Sequence, residues 1–177
     1  MIASSAATQR YHPLSRWLHA AAVLLIALEY PLAWSMTDHR GAAEGTLASW
    51  HVGVGMVILS VMLLRLLWRL FKAPPPGPPM PAWQARAAHA AHLLLYAGFA
   101  VLPLLGWLAA SARDWPVHWA GLVALPALLP PLPAWAEPLG DAHQALALGL
   151  LALVGVHVVA ALYHAVVRRD ASLRRMW

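Results

Sequence analysis

The stretch DAHQALALGLLALVGVHVVAALYH, residues 141–164, decides what kind of protein this is. It is almost entirely Ala, Leu, Val and Gly. As a helix rising 1.5 Å per residue it spans the roughly 30 Å hydrocarbon core of a bilayer. Yet it carries His143, His157 and His164, spaced by fourteen and then seven residues. Lipid excludes imidazole, so ionisable side chains in such a helix face protein and mark function.

The rest of the chain agrees. Of its 177 residues, 61% are hydrophobic and only 11% charged, too few charges for a soluble domain of this size. Four apolar segments stand out, at about 14–36, 50–71, 86–110 and 141–167. Each reaches the roughly 20 residues that a bilayer crossing needs. The expected fold is all-α, an integral-membrane four-helix bundle forming a single domain over residues 1–177. A polar loop (TDHRGAAEGT, 37–46) joins the first two spans, and a Pro-rich spacer (APPPGPPMPAW, 73–83) joins the next two. The stretch WPVHWAGLVALPALLPPLPAW (115–135) is apolar but broken by prolines. It reads as an interfacial loop with room for one short helix rather than a fifth span.

Charge fixes the expected orientation. Arg10, Arg16, Arg65, Arg69, Lys72, Arg86, Arg168, Arg169, Arg174 and Arg175 fall on one side, and only Arg40 and Arg113 on the other. The positive-inside rule then makes both termini cytoplasmic. The tryptophans cluster at span boundaries, as an aromatic belt does. The formal charge of +5 is therefore topological, and nucleic acid is not an expected partner; membrane lipid is. The absence of cysteine excludes disulfides, thiolate metal sites, iron–sulfur clusters and covalent haem attachment. A cleaved signal peptide built on LLIALEYPLAWS fits poorly, because that core is long and contains Glu29.

With topology set, the histidines fall at two depths. His51 and His143 begin their helices at the outer side; His19 and His157 lie near the inner side. His157 is about 21 Å deeper than His143 and projects within roughly 40° of the same direction. Imidazoles presented toward each other from different helices are what a bis-histidine haem requires. The outer pair is His51 with His143, and the inner pair His19 with His157, the two layers forming an electron path through the membrane. Arg65, fourteen residues after His51, reaches the inner level, where it pairs a propionate or snorkels to the interface. His92 is an alternative inner ligand, and His164 an inner haem or quinone contact; His89 lies at the same level. Gly53, Gly55, Gly106, Gly149 and Gly155 give room for a macrocycle or a neighbouring helix. Glu29 is an intramembrane carboxylate, functional by default. His12, His39 and His118 read as interface or loop residues.

Four stretches together resemble the bacterial cytochrome b561 family: RYHPLSRWLHAAAVLLI, LASWHVGVGMVILSVMLLRLLWR, HAAHLLLYAGFAVLPLLGW, and residues 141–177 with their His-x13-His spacing and closing RRDASLRRM. The resemblance covers nearly the whole chain. It implies two non-covalent haems b ligated through iron by His19, His51, His143 and His157, in a multi-pass protein of the bacterial inner membrane. It also implies electron transfer with ubiquinone as acceptor. Some members of the family oxidise superoxide at the outer face, which makes this chain a candidate superoxide:ubiquinone oxidoreductase. Arg40 and Arg113 are then the candidate cations for the anion's approach. Other members take electrons from a partner protein, so the donor stays open between the two. From another class altogether, a histidine-relay transporter or proton channel would need no haem and would favour broken helices or repeated halves. Pro31 and Pro103 could kink helices, but no repeat is visible. A histidine metal-ion carrier fits less well, since the paired layers are expected roughly 20 Å apart by helix rise and no carboxylate is expected beside each pair.

Overall fold

The computed structural model describes residues 10–36 and 46–177. Four long helices carry it: α1 (Pro13–Ser35), α2 (Leu47–Phe71), α3 (Ala82–Ala112) and α4 (Pro133–Val166). All four are long and apolar enough to cross a membrane. Their outward faces expose large apolar side chains, with Leu24 71%, Leu70 75% and Val159 66% exposed, as suits contact with lipid.

Local chemistry sets the helix ends. His12 caps α1, its Nδ1 accepting from the Leu14 N–H at 3.2 Å, with Pro13 pre-set at the first helical position. Thr46 caps α2 through Oγ1, which accepts from the Ser49 N–H at 3.2 Å, and Ser49 Oγ donates back to the Thr46 carbonyl at 2.8 Å. Beyond α3, Asp114 turns left-handed (φ 58°) and the Trp115 N–H returns to the Ala110 carbonyl at 2.9 Å. Pro133 opens α4 well before Asp141, so this helix runs past the span read from hydropathy.

The helices pack in chain order, α1 on α2, α2 on α3 and α3 on α4. Among the described residues the ring does not close by backbone packing, because no Cα of α1 comes within 8 Å of one in α4, nor any of α2 within 8 Å of α4. The α1/α4 seam is bridged by Tyr30, whose hydroxyl donates to the Ala147 carbonyl at 2.6 Å. A mid-membrane cluster of Ala22, Ile58, Met62, Phe99 and Leu150 joins all four helices. Gly98 makes the α3/α4 contact tight: a Cβ there would collide with the Leu150 side chain.

The proline-broken stretch differs from the expected loop with a short helix. It folds as a small antiparallel hairpin, β1 (Val117–Trp119) on β2 (Val123–Leu125). Ala120 (φ 51°) and Gly121 (φ 72°) are both left-handed, the mirror-image turn that suits hairpin twist. The hairpin lies along α2. Trp119 Nε1 donates to Ser60 Oγ at 2.9 Å and the Ala120 N–H to the Gly53 carbonyl at 3.3 Å. Gly53 permits this approach, since a Cβ would stand 3.1 Å from the Gly121 nitrogen. Polar loop backbone at membrane depth is tolerated when protein groups satisfy it in this way.

Candidate functional site

At the end read as outer, the rings of His51 and His143 meet across the bundle, with centroids 6.0 Å apart and planes at 89°. They come from α2 and α4, whose backbones stay apart, so the space between them belongs to side chains. His143 Nδ1 lies 3.0 Å from the Leu102 carbonyl oxygen. A carbonyl only accepts, so Nδ1 carries the proton and Nε2 keeps its lone pair for a metal. Gly106 makes room for this ring: a Cβ there would sit 3.0 Å from His143 Cε1 and 3.1 Å from Nδ1. On the other side, His51 Nδ1 lies 3.0 Å from Glu29 Oε1.

At the inner end, His19, His92 and His157 share one neighbourhood, and His19 lies within electrostatic reach of both others. The rings of His92 and His157 approach to 5.4 Å at 78°, while His19 packs on Trp177 at 5.9 Å. His92 Nδ1 donates to the Ala88 carbonyl at 2.7 Å, an intrahelical anchor that again leaves Nε2 free. The expected partners His19 and His157 stand on the two sides of the open α1/α4 seam, within electrostatic reach of each other, whereas the ring contact at this end is that of His92 with His157 across the tight α3/α4 seam. Arg65 is turned into this layer, its Nη1 donating to the Ser15 carbonyl at 3.5 Å and its Nη2 to the Tyr96 hydroxyl at 3.3 Å. His164 is engaged by Asp170 at 2.6 Å just beyond the end of α4. Burial opposes ionisation of Asp170, but hydrogen bonds from His164 and Ser172 outweigh it and hold the carboxyl down at about 2.

Of the cations expected to guide an anion, Arg40 lies outside the described residues. Arg113 lies 3.4 Å from Glu137 Oε1, donates to the Ala109 carbonyl at 3.3 Å and stacks 5.7 Å from the Trp115 ring. Its charge is thus shared with Glu137, though it remains close enough to act on His143. Neither the Leu102 carbonyl nor the Tyr30 bridge announces itself in the sequence. The Gly106 cradle is visible there only as a glycine in an apolar helix.

The residues fit haem. Imidazoles that were to hold one iron between them would need ring centroids roughly 6 Å apart, and the outer rings stand at 6.0 Å. Among the described residues no three His, Cys, Asp or Glu side chains converge as a metal-ion cage; the histidine ring contacts are pairwise, His51 with His143 and His92 with His157. A four-helix bundle long and apolar enough to cross a membrane, with imidazoles opposed between helices, is the architecture of a membrane cytochrome b. The family model for prokaryotic cytochrome b561 matches residues 10–177, and the chain belongs to that family. It is 28% identical over 127 residues to cytochrome b561 homolog 2 of Escherichia coli (strain K12), covering 71% of this chain and 68% of that one. It is 30% identical over 178 residues to the "probable superoxide oxidase CybB" of Yersinia pestis, covering 95% and 96%. The protein is accordingly a multi-pass cytochrome of the bacterial inner membrane that transfers electrons and binds b-type haem.

Proposed function

We propose that this cytochrome holds two haems b, an outer one between His51 and His143 and an inner one between His19 and His157, and moves electrons between a periplasmic donor and ubiquinone. Both termini and the Pro-rich spacer lie in the cytoplasm, following the distribution of Arg and Lys. The observation that carries the reading is the opposed outer pair, with His143 Nδ1 on the Leu102 carbonyl and His51 Nδ1 3.0 Å from Glu29 Oε1.

For the inner pair, seam geometry supports His19 over His92. A flat macrocycle needs helices that stand apart. The α1/α4 seam is open, whereas α3 and α4 pack closely around Gly98 and Leu150. His92 then borders the inner site, as does Arg65, whose guanidinium is placed to neutralise a propionate. His164 is left to the segment after α4 through Asp170.

Bound haem supplies one-electron chemistry at its iron. The chain's own part is to orient the imidazoles, exclude water with the Ile58–Met62–Phe99–Leu150 cluster between the layers, and supply cations at each end. Superoxide is the leading donor, supported by the name of the Yersinia pestis relative. Arg40 and Arg113 draw the small anion to the outer face. The test is to reconstitute the protein in liposomes and reduce it separately with superoxide and with quinol, following both haems optically. Superoxide should reduce the outer haem first and quinone should reoxidise the protein. Failure of superoxide, with quinol still effective, would return the donor to a partner protein.

A further inference from the structure

The two outer imidazoles are backed by different acceptors. His143 faces a neutral carbonyl. His51 faces a carboxylate, Glu29 Oε1, delivered from the middle of an apolar helix. Both partners are largely enclosed, with side chains 18% exposed for His51 and 14% for Glu29. The approach is close, yet both His51 Nδ1 and Glu29 Oε2 are buried without a hydrogen-bond partner. A carboxylate so placed is expensive, and nothing in helix packing calls for it. Gly55 keeps its seat open, since a Cβ there would stand 3.2 Å from Oε1.

We propose that Glu29 is a positioning residue for the outer haem, acting through His51. From 3.0 Å away, a small turn of the ring would make Oε1 the acceptor for Nδ1–H, which would fix the tautomer and leave Nε2 for the iron. Its charge also makes the imidazole more basic, which favours the ferric state and lowers the outer haem's potential below that of a carbonyl-backed pair. This inference rests on the haem reading given above.

The test uses the purified holoprotein. Haem is first counted per chain in the parent and in Glu29→Gln, and both haems are then titrated against potential while the ferric EPR signals are recorded. Glutamine keeps the shape and can still accept, but carries no charge. Its outer haem should favour the reduced state by roughly tenfold at a given potential, which is about 59 mV upward for a one-electron couple. The outer EPR signal should move with it, and the inner haem should hold its potential. Should Glu29→Gln shed the outer haem, Gly55→Ala carries the titration, because it leaves the carboxylate present but displaced, with a smaller shift of the same sign. An unmoved outer potential with both haems retained would overturn the role of Glu29, as would equal movement of both haems. A parent protein without haem would instead defeat the reading beneath it, and the initial count shows that separately.

Discussion

Substituting Gly106 by alanine sets two effects of opposite sign against each other. Alanine in a helix interior is favoured over glycine by about 1 kcal/mol through backbone entropy, so on local grounds the variant is more stable. At this position, however, the new Cβ would lie 3.0 Å from His143 Cε1 and 3.1 Å from Nδ1. Carbon contacts relax at about 3.5 Å or more, so the imidazole must recede by roughly 0.5 Å. That is the tolerance to which ligand constellations of this kind are held. The ring is also tied to the Leu102 carbonyl at 3.0 Å, and the same displacement can carry that bond to the edge of hydrogen-bond range. Disturbing such support costs about 10–100-fold in metal affinity, or roughly 1.4–2.8 kcal/mol, more than the helix gains. The expected outcome is loss of outer haem on dilution or mild detergent washing, with inner haem kept and with helix content unchanged or slightly firmer on heating. A pyridine haemochrome assay combined with thermal circular dichroism reads both. Full retention of two haems with an unshifted outer spectrum would refute the reasoning that Gly106 is a seat for His143.

His143→Ala should abolish the outer haem while leaving the inner one, and His157→Ala should do the reverse. His92→Ala should keep two haems; if it loses the inner one while His19→Ala does not, the inner ligand is His92. Reversing charge at Arg40 and Arg113 should slow reduction by superoxide and flatten its dependence on ionic strength in stopped-flow, since both effects come from long-range attraction. Asp170 is held down at about 2 by His164 and Ser172. A carboxyl depressed on folding contributes stability fully above its ordinary value near 3.8, and that contribution fades as pH falls toward 2. Tail docking, followed by the fluorescence of Trp177 in a variant lacking the other inner-end tryptophans, should therefore hold at neutral pH and weaken between about pH 4 and 2. In His164→Ala docking should be weaker at neutral pH, and its further loss on acidification should be smaller and finish at a higher pH.

Much of this architecture is legible because a bilayer simplifies the code. Length and hydropathy reveal four spans, and residues 143 and 157 reveal their common face through helical periodicity alone. The outer couple is legible too, since His51 and His143 fall at the outer ends of the apolar spans read from hydropathy. The inner layer is harder. His19 and His92 enter from the same side at similar depth, and depth does not report azimuth; the proposal of His19 is supported by the open α1/α4 seam and the tight contact of Gly98 with Leu150, while His92 makes the ring contact with His157. The hairpin at 117–125 was hidden because its alternation is drowned where nearly every residue is apolar, leaving Ala120–Gly121 as the sole turn signal. Glu29 stands out in the sequence as a buried charge, but its partner does not, because contact with His51 depends on how α1 is rotated against α2.

The most direct test is a haem count. The purified protein should show sharp α and Soret bands on dithionite reduction and return about two b haems per chain by pyridine haemochrome, falling to one when His51 and His143 are both replaced by alanine. Colourless material, or a count unchanged by that double replacement, would contradict iron held between imidazoles at two depths.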